Sequence, residues 1–172
     1  MLTEMNSSKK TIIITIERMT NSGRIVFVSS GTHDPLKKTG IAEPVYENAR
    51  LLAYPKETGE NKSMMLIGQR RYTTSKLCNI YCAYELAERI KQQTNKNITI
   101  NVFDPGQMPG TRFSRTFPPL IRFVSDHILP ILTLFLPNVN TANKSGEALA
   151  WLVINPDLNE TTSKYFEGTR EI

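Results

Sequence analysis

Residues 24–30, Arg-Ile-Val-Phe-Val-Ser-Ser, constrain the fold of this chain more than any other segment. The run is nearly continuous in β-branched and aromatic side chains, so an extended segment here has no face to give to water. Such a strand belongs inside a sheet covered on both sides, and Asn21-Ser22-Gly23 leads into it as a turn. A second run of the same kind, Ile-Thr-Ile-Asn-Val-Phe, covers 98–103 and is ended by Asp104-Pro105-Gly106. Between the two, Leu77, Ile80, Tyr81, Tyr84, Ala87 and Ile90 recur at three- and four-residue steps. That spacing predicts a helix over 72–92, broken by Thr94-Asn95-Lys96-Asn97. Thr141 is placed to cap a helix through about Ile154, with Ala148, Leu149, Trp151 and Leu152 on its core face. Lys164-Tyr165-Phe166-Glu167 reads as a short third strand. Strands alternating with helices imply crossover connections, a parallel sheet and an α/β architecture.

Other segments are less regular. Residues 31–68 are dense in Gly, Pro, Lys and Glu and read as a long loop with a short helix near 46–52. Loops of that length inside a domain are usually functional. Residues 1–20 carry one β-branched patch, Ile12-Ile13-Ile14-Thr15-Ile16, and remain unassigned between a frayed helix, a poor strand and a recombined end. The patch is far too short to span a bilayer, and no signal peptide opens the chain, so the expected compartment is the cytoplasm. Residues 112–140 are apolar and interrupted by Pro118, Pro119, Pro130 and Pro137. Within them, 113–137 fit a substrate lobe, a membrane-surface contact and a cover for the core equally well.

Composition narrows the classes. The 172 residues suffice for one domain with a core, and the formal charge of +5 is scattered. It forms no basic stripe with interleaved aromatics, which argues against a nucleic-acid partner. Cys78 and Cys82 sit four apart on the predicted helix, and the two histidines, His33 and His127, are distant in sequence. Neither a disulfide framework nor a metal site is expected.

The residues able to do chemistry are Ser30, at the end of the first strand, and Tyr72 and Lys76, at the opening of the predicted helix. Four residues apart, Tyr72 and Lys76 lie on one helical face. A phenol titrates at about 10 when free, and an adjacent ammonium favours its ionised form, so the pair can exchange a proton with a carbonyl or alcohol oxygen. A serine hydroxyl at the carboxyl end of a strand can hold that same oxygen, and ligands of open α/β sheets bind at that end. His33 and Asp34, just beyond, can line a cleft or simply form a solvated turn.

Taken together, Gly23–Ser30, Tyr72-Thr73-Thr74-Ser75-Lys76 and Asp104-Pro105-Gly106 resemble the catalytic half of the short-chain dehydrogenase/reductase family, from about residue 22 to the C-terminus. The resemblance implies an incomplete Rossmann-type three-layer sandwich with its N-terminal βαβ units missing, a single truncated domain over 1–172. It implies Ser30 as the substrate-orienting serine and Tyr72 as the acid/base. Lys76 matches the lysine that holds the nicotinamide ribose. Pro105, Gly106, the backbone of Met108 and Thr111 match the turn beside the nicotinamide, and the cofactor implied is NADP(H). Tyr72–Asn79 with Cys78, Pro105-Gly106 followed by Thr111 and Arg115, and the tail Ser145–Ala148, Asn155–Leu158 and Lys164–Phe166 are similar to light-dependent protochlorophyllide reductases and, less closely, to retinol-dehydrogenase-like members. In the former a cysteine is placed near the substrate, so Cys78 is a substrate candidate; His33 is another, from its place in the turn that follows Ser30. Cys78 nonetheless falls roughly 120° around the helix from Tyr72 at ~3.6 residues per turn.

The sequence departs from the family in one large respect. Thr-Gly-x-x-x-Gly-x-Gly, whose glycines let a helix N-terminus approach the pyrophosphate, is absent, as are the Asn-Asn-Ala-Gly element and the family's catalytic Asn. Two readings follow. One is an NAD(P)H-dependent oxidoreductase acting on a C=O/CH–OH or C=C bond of an apolar substrate, in truncated form, active only with a complementing front-half chain or not at all. The other is a non-catalytic interaction protein that pairs, as a homo-oligomer or with a relative, through the sheet edge left open beside 24–30. That open edge predicts marginal stability or self-association.

Overall fold

The computed structural model describes residues 16–54, 63–106, 108, 120, 123 and 140–172. Strand β1 spans Ser22–Val28, β2 Asn97–Asp104, β3 Tyr165–Glu167 and β4 Arg170–Glu171, in sheet order β1-β2-β3-β4. The first three run parallel, with Ile25 opposite Ile100 and Val28 opposite Phe103 in one pair and Phe103 opposite Phe166 in the next. Helix α1 spans Ala49–Ala53, α2 Met64–Gln93 and α3 Ala142–Ile154. The chain is thus α/β, as expected. The sheet is mixed, because Gly168, at φ +59°, folds β4 back antiparallel on β3, a two-residue strand too short to announce itself in the sequence.

Alternation along the strands sorts the core into two layers. Ile98, Ile100, Val102 and Tyr165 face α2, where they meet Ile80, Ala83, Ala87 and Ile90, with Ile25 and Phe27 of β1 beside them. Phe103 and Phe166 face the other way, onto Leu152, Ala148, Leu149 and Trp151 of α3, with Val26 of β1. Ile100, Val102 and Leu152 are wholly buried, each worth about 1.5–3 kcal/mol relative to exposure. β2 is buried along all but its first residue, which is why it reads as a continuous apolar run.

Two element boundaries differ from the sequence reading in ways that matter for the site. β1 ends at Val28 rather than at Ser30, although Ser29 still donates its amide to Phe103 O at 2.8 Å. Ser30 has already left the strand and caps a short 3₁₀ turn, Gly31–His33. Helix α2 begins at Met64, so Tyr72 and Lys76 lie in the helix interior and not at its opening. Met64, Met65 and Leu66 are exposed, so this first turn has no apolar periodicity to read. Within the expected loop 31–68, α1 answers to the short helix expected near 46–52, and a second 3₁₀ turn, Pro35–Lys37, adds to it. In the N-terminal segment, residues 16–18 are helical and Ile16 is buried against α2; residues 1–15 lie outside the described residues.

Arg24 joins β1 to the C-terminus of α3. Its guanidinium donates to the carbonyls of Leu152 at 2.9 Å, Val153 at 3.1 Å and Asn155, and to Asn159 Oδ1 at 2.7 Å. It thereby satisfies the orphan carbonyls at the C-terminus of α3 and opposes the negative end of that helix. At the other end Thr141 Oγ1 accepts from Lys144 N at 3.2 Å, the N-cap the sequence predicted.

Candidate active site

The carboxyl end of β1 is tied to the middle of α2 by three hydrogen bonds. Ser29, 1% exposed, donates its hydroxyl to Lys76 O at 2.8 Å. Asn79 Nδ2 donates to Val28 O at 2.9 Å, and Lys76 Nζ approaches the same carbonyl at 3.5 Å. Lys76 Nζ also stands 5.5 Å from the centre of the Tyr72 ring, a cation–π distance. The expected face-sharing of Tyr72 and Lys76 is therefore present, both side chains half-buried. Ser30 follows Ser29 directly, and the 31–33 turn that it caps packs on α2.

The loop after β1 is fastened to the same helical turn. Thr73 Oγ1 donates to Ala42 O at 2.8 Å, and Thr74 Oγ1 accepts the Val45 amide at 3.0 Å. Both threonines are buried and also reach Arg70 O, at 3.1 Å from Thr73 and 2.7 Å from Thr74. Hydroxyls inside a helix are the signal that marks them in a sequence: a buried threonine there must find acceptors, and here it finds them on the crossing loop. In the sequence Thr73, Thr74, Ser29 and Asn79 stand only as members of longer motifs, with no role of their own.

Ser30 Oγ accepts from Thr32 N at 3.4 Å and from Thr32 Oγ1 at 3.2 Å, so its own proton is left to point elsewhere. Together with Asp104, Gly106, Lys144, Trp151 and Glu167 it lines a cavity of about 930 Å³ at the carboxyl ends of β1–β3. Tyr72 and Lys76 are not among the residues that line it. His33 turns Nδ1 to Ser30 O at 2.7 Å and lays its ring 5.2 Å from that of Tyr165. Asp34 Oδ1 accepts from Leu36 N at 2.9 Å, the turn-forming role. Burial, and then the nearby Cys82, raise the Cys78 thiol above its ordinary range, the wrong direction for a reactive thiolate.

At the end of β2, Asp104 is 5% exposed and closes the Pro-Gly turn. Its Oδ1 accepts from Gly106 N at 2.9 Å, and its Oδ2 accepts from Tyr165 OH at 3.2 Å. Gly106, at φ +77°, adopts a backbone that other residues avoid. The Pro105 carbonyl accepts from Asn140 Nδ2 at 3.0 Å and Ser145 Oγ at 2.7 Å, which anchors the turn to the start of α3. Thr111, Arg115 and almost all of the 112–140 lobe lie outside the described residues.

An angucycline C-6 ketoreductase, LanV, solved with bound NADP, is similar to this chain in structure, with a TM-score of 0.52 and 18% identity over 91% of this chain and 46% of its own. What the two share is the fold. Acetoin dehydrogenase from Enterobacter cloacae is similar over 85% of this chain and 42% of its own (17% identity, TM-score 0.46), and a short chain dehydrogenase from Salmonella enterica serovar Typhi over 88% and 43% (16%, 0.45). The chain thus spans less than half the length of each. No protein-family model matches the sequence, and no curated protein does. Among the described residues, no helix is long and apolar enough to cross a membrane.

Proposed function

We propose that this chain carries the catalytic end of an NAD(P)H-dependent oxidoreductase of the short-chain dehydrogenase/reductase type. The observation behind this reading is the Lys76 ammonium 5.5 Å over the Tyr72 ring, on a helix bonded to the strand end that bears Ser30. Tyr72 gives its phenolic proton to the substrate oxygen, Ser30 orients that oxygen, and Lys76 holds the nicotinamide ribose. The Pro105-Gly106 turn and Met108 support the nicotinamide ring, and the cofactor, when bound, supplies the hydride. The residues present fit the nicotinamide–ribose end of such a cofactor: of the three N–H donors of Lys76, one is directed at Val28 O and the others remain for ribose hydroxyls. They offer no Gly-rich turn for the pyrophosphate. NADP(H) rather than NAD(H) is the choice suggested by the resemblance of Tyr72–Asn79 to protochlorophyllide-type reductases, and LanV, similar in fold, was solved with NADP. An apolar substrate carrying a C=O, CH–OH or C=C bond suits this chemistry. Consumption of NADPH against a panel of apolar ketones, aldehydes and enones tests the reading, with a front-half chain of the family supplied in trans. Turnover should vanish in Tyr72→Phe; turnover that survives this change contradicts the assignment.

A second reading is favoured by one observation: among the described residues, no strand pairs with the outer edge of β1. The Ser29 amide points to β2, so the main-chain groups of Arg24 and Val26 point outward, as strand alternation requires. An interaction protein would use that edge to add a strand from a second copy or from a complementing chain. A stable dimer with no NADPH affinity would favour this second reading.

A further inference from the structure

Lys76 has a four-carbon stem, and the place of its ammonium is decided by the acceptors that compete for it. Its main chain is not free to choose, because Ser29 Oγ fixes Lys76 O at the end of β1. Among the described residues, the acceptor that Lys76 Nζ approaches is Val28 O. That carbonyl belongs to the outer edge of β1 and gets no partner from the sheet. It is occupied instead by Asn79 Nδ2 at 2.9 Å, a normal hydrogen bond, while Lys76 Nζ stays at 3.5 Å, the outer limit of one.

We propose that Asn79 is a positioning residue for Lys76: by occupying the Val28 carbonyl, it keeps the ammonium over Tyr72 and available to a ligand. Without the amide, Val28 O draws the ammonium into a charge-assisted bond at the strand edge, away from the site. The functional consequence rests on the reading of Lys76 as the ribose-holding lysine; the placement itself does not. The sequence places Asn79 three residues after Lys76, so the two side chains rise from adjacent positions on one helical face and reach for the same strand end.

The test is trace acetylation of the full chain with acetic anhydride, reading Lys76 against exposed Lys91 on the same helix by mass spectrometry, alongside NADPH titration. Asn79→Leu and Asn79→Ala remove the donor, Asn79→Gln retains one, and Lys76→Ala controls the titration. The two donorless variants should lower Lys76 labelling and NADPH affinity by roughly three- to ten-fold, the scale of one modest hydrogen bond, with Asn79→Gln recovering part of both. Unchanged Lys76 labelling in both donorless variants overturns the proposal, even where NADPH binds. Lowered labelling with no NADPH binding by any variant upholds the positioning role and removes the dinucleotide reading. The wild-type chain gives a second check: the Asn79 side-chain amide protons should exchange with solvent more slowly than those of exposed Gln93, and equal rates would also overturn the proposal.

Discussion

Tyr165 donates its phenolic hydrogen to the carboxylate of Asp104 at 3.2 Å, joining the ends of β3 and β2 beneath the Pro-Gly turn. Burial first, and then the Asp104 charge and hydrogen bond, push this phenol far above its ordinary range. An unfolded tyrosine ionises near 10, so above about that pH the unfolded chain releases a proton that the folded chain keeps. The raised group therefore stabilises the fold fully below pH ~10, and its contribution is lost as pH climbs beyond that value. Urea midpoints measured from pH 8 to 11 should fall more steeply for the wild type than for Tyr165→Phe. Parallel slopes would show that the Tyr165 phenol gives its proton up at the same pH in the folded and unfolded chain.

Arg24→Ala should destabilise the fold by about 2 kcal/mol, the range of hydrogen bonds to a charged group, because it leaves the Leu152 and Val153 carbonyls without their side-chain donor, while Asn155 O keeps only the Leu158 amide at 3.2 Å. Arg24→Lys should recover only part of this, since an ammonium cannot serve the planar fork. Urea denaturation reads both values, and a loss of no more than ~0.5 kcal/mol, typical of neutral surface changes, would deny Arg24 its capping role.

Thr74→Val keeps the volume of the side chain and removes the oxygen that accepts the Val45 amide. Hydrogen exchange at the Val45 amide should quicken while amides of β2 stay protected. Exchange that is unaltered at Val45 would mean that the 41–45 segment is held by other contacts.

Cys78 is half-buried with its thiol pushed up by that burial, whereas Cys82 is exposed. Ellman's reagent should modify Cys82 first in the native chain, shown by comparing Cys78→Ser and Cys82→Ser. A faster Cys78 would favour the substrate-side role that the resemblance implies for it.

The fold was legible where burial is two-sided. β2 and α3 follow from an unbroken apolar run and a capped periodic stretch, and their observed limits lie within one or two residues of those expected. α2 was legible from Tyr72 onward only, because its first two turns expose Met64, Met65 and Leu66 and present no face to read. β4 depends on the positive φ of Gly168, a local event two residues long. In the site, the Tyr72–Lys76 pair is visible in spacing alone, since helical geometry fixes it. The Ser29–Lys76, Asn79–Val28 and Thr74–Val45 bonds are not, because each joins segments 29 to 51 residues apart, and only the packed fold brings them together.

The proposed function requires a nicotinamide–ribose half-site at Lys76, Tyr72 and the strand end that carries Ser30. Calorimetric titration of the full chain with NADPH, beside Lys76→Ala, tests it most directly. The expected result is saturable heat in the wild-type chain, with affinity that weakens by about ten-fold or more when the ammonium is removed, the size expected for losing one charge-assisted hydrogen bond. A folded wild-type chain that gives no heat, or one whose binding is the same without Lys76, would contradict it.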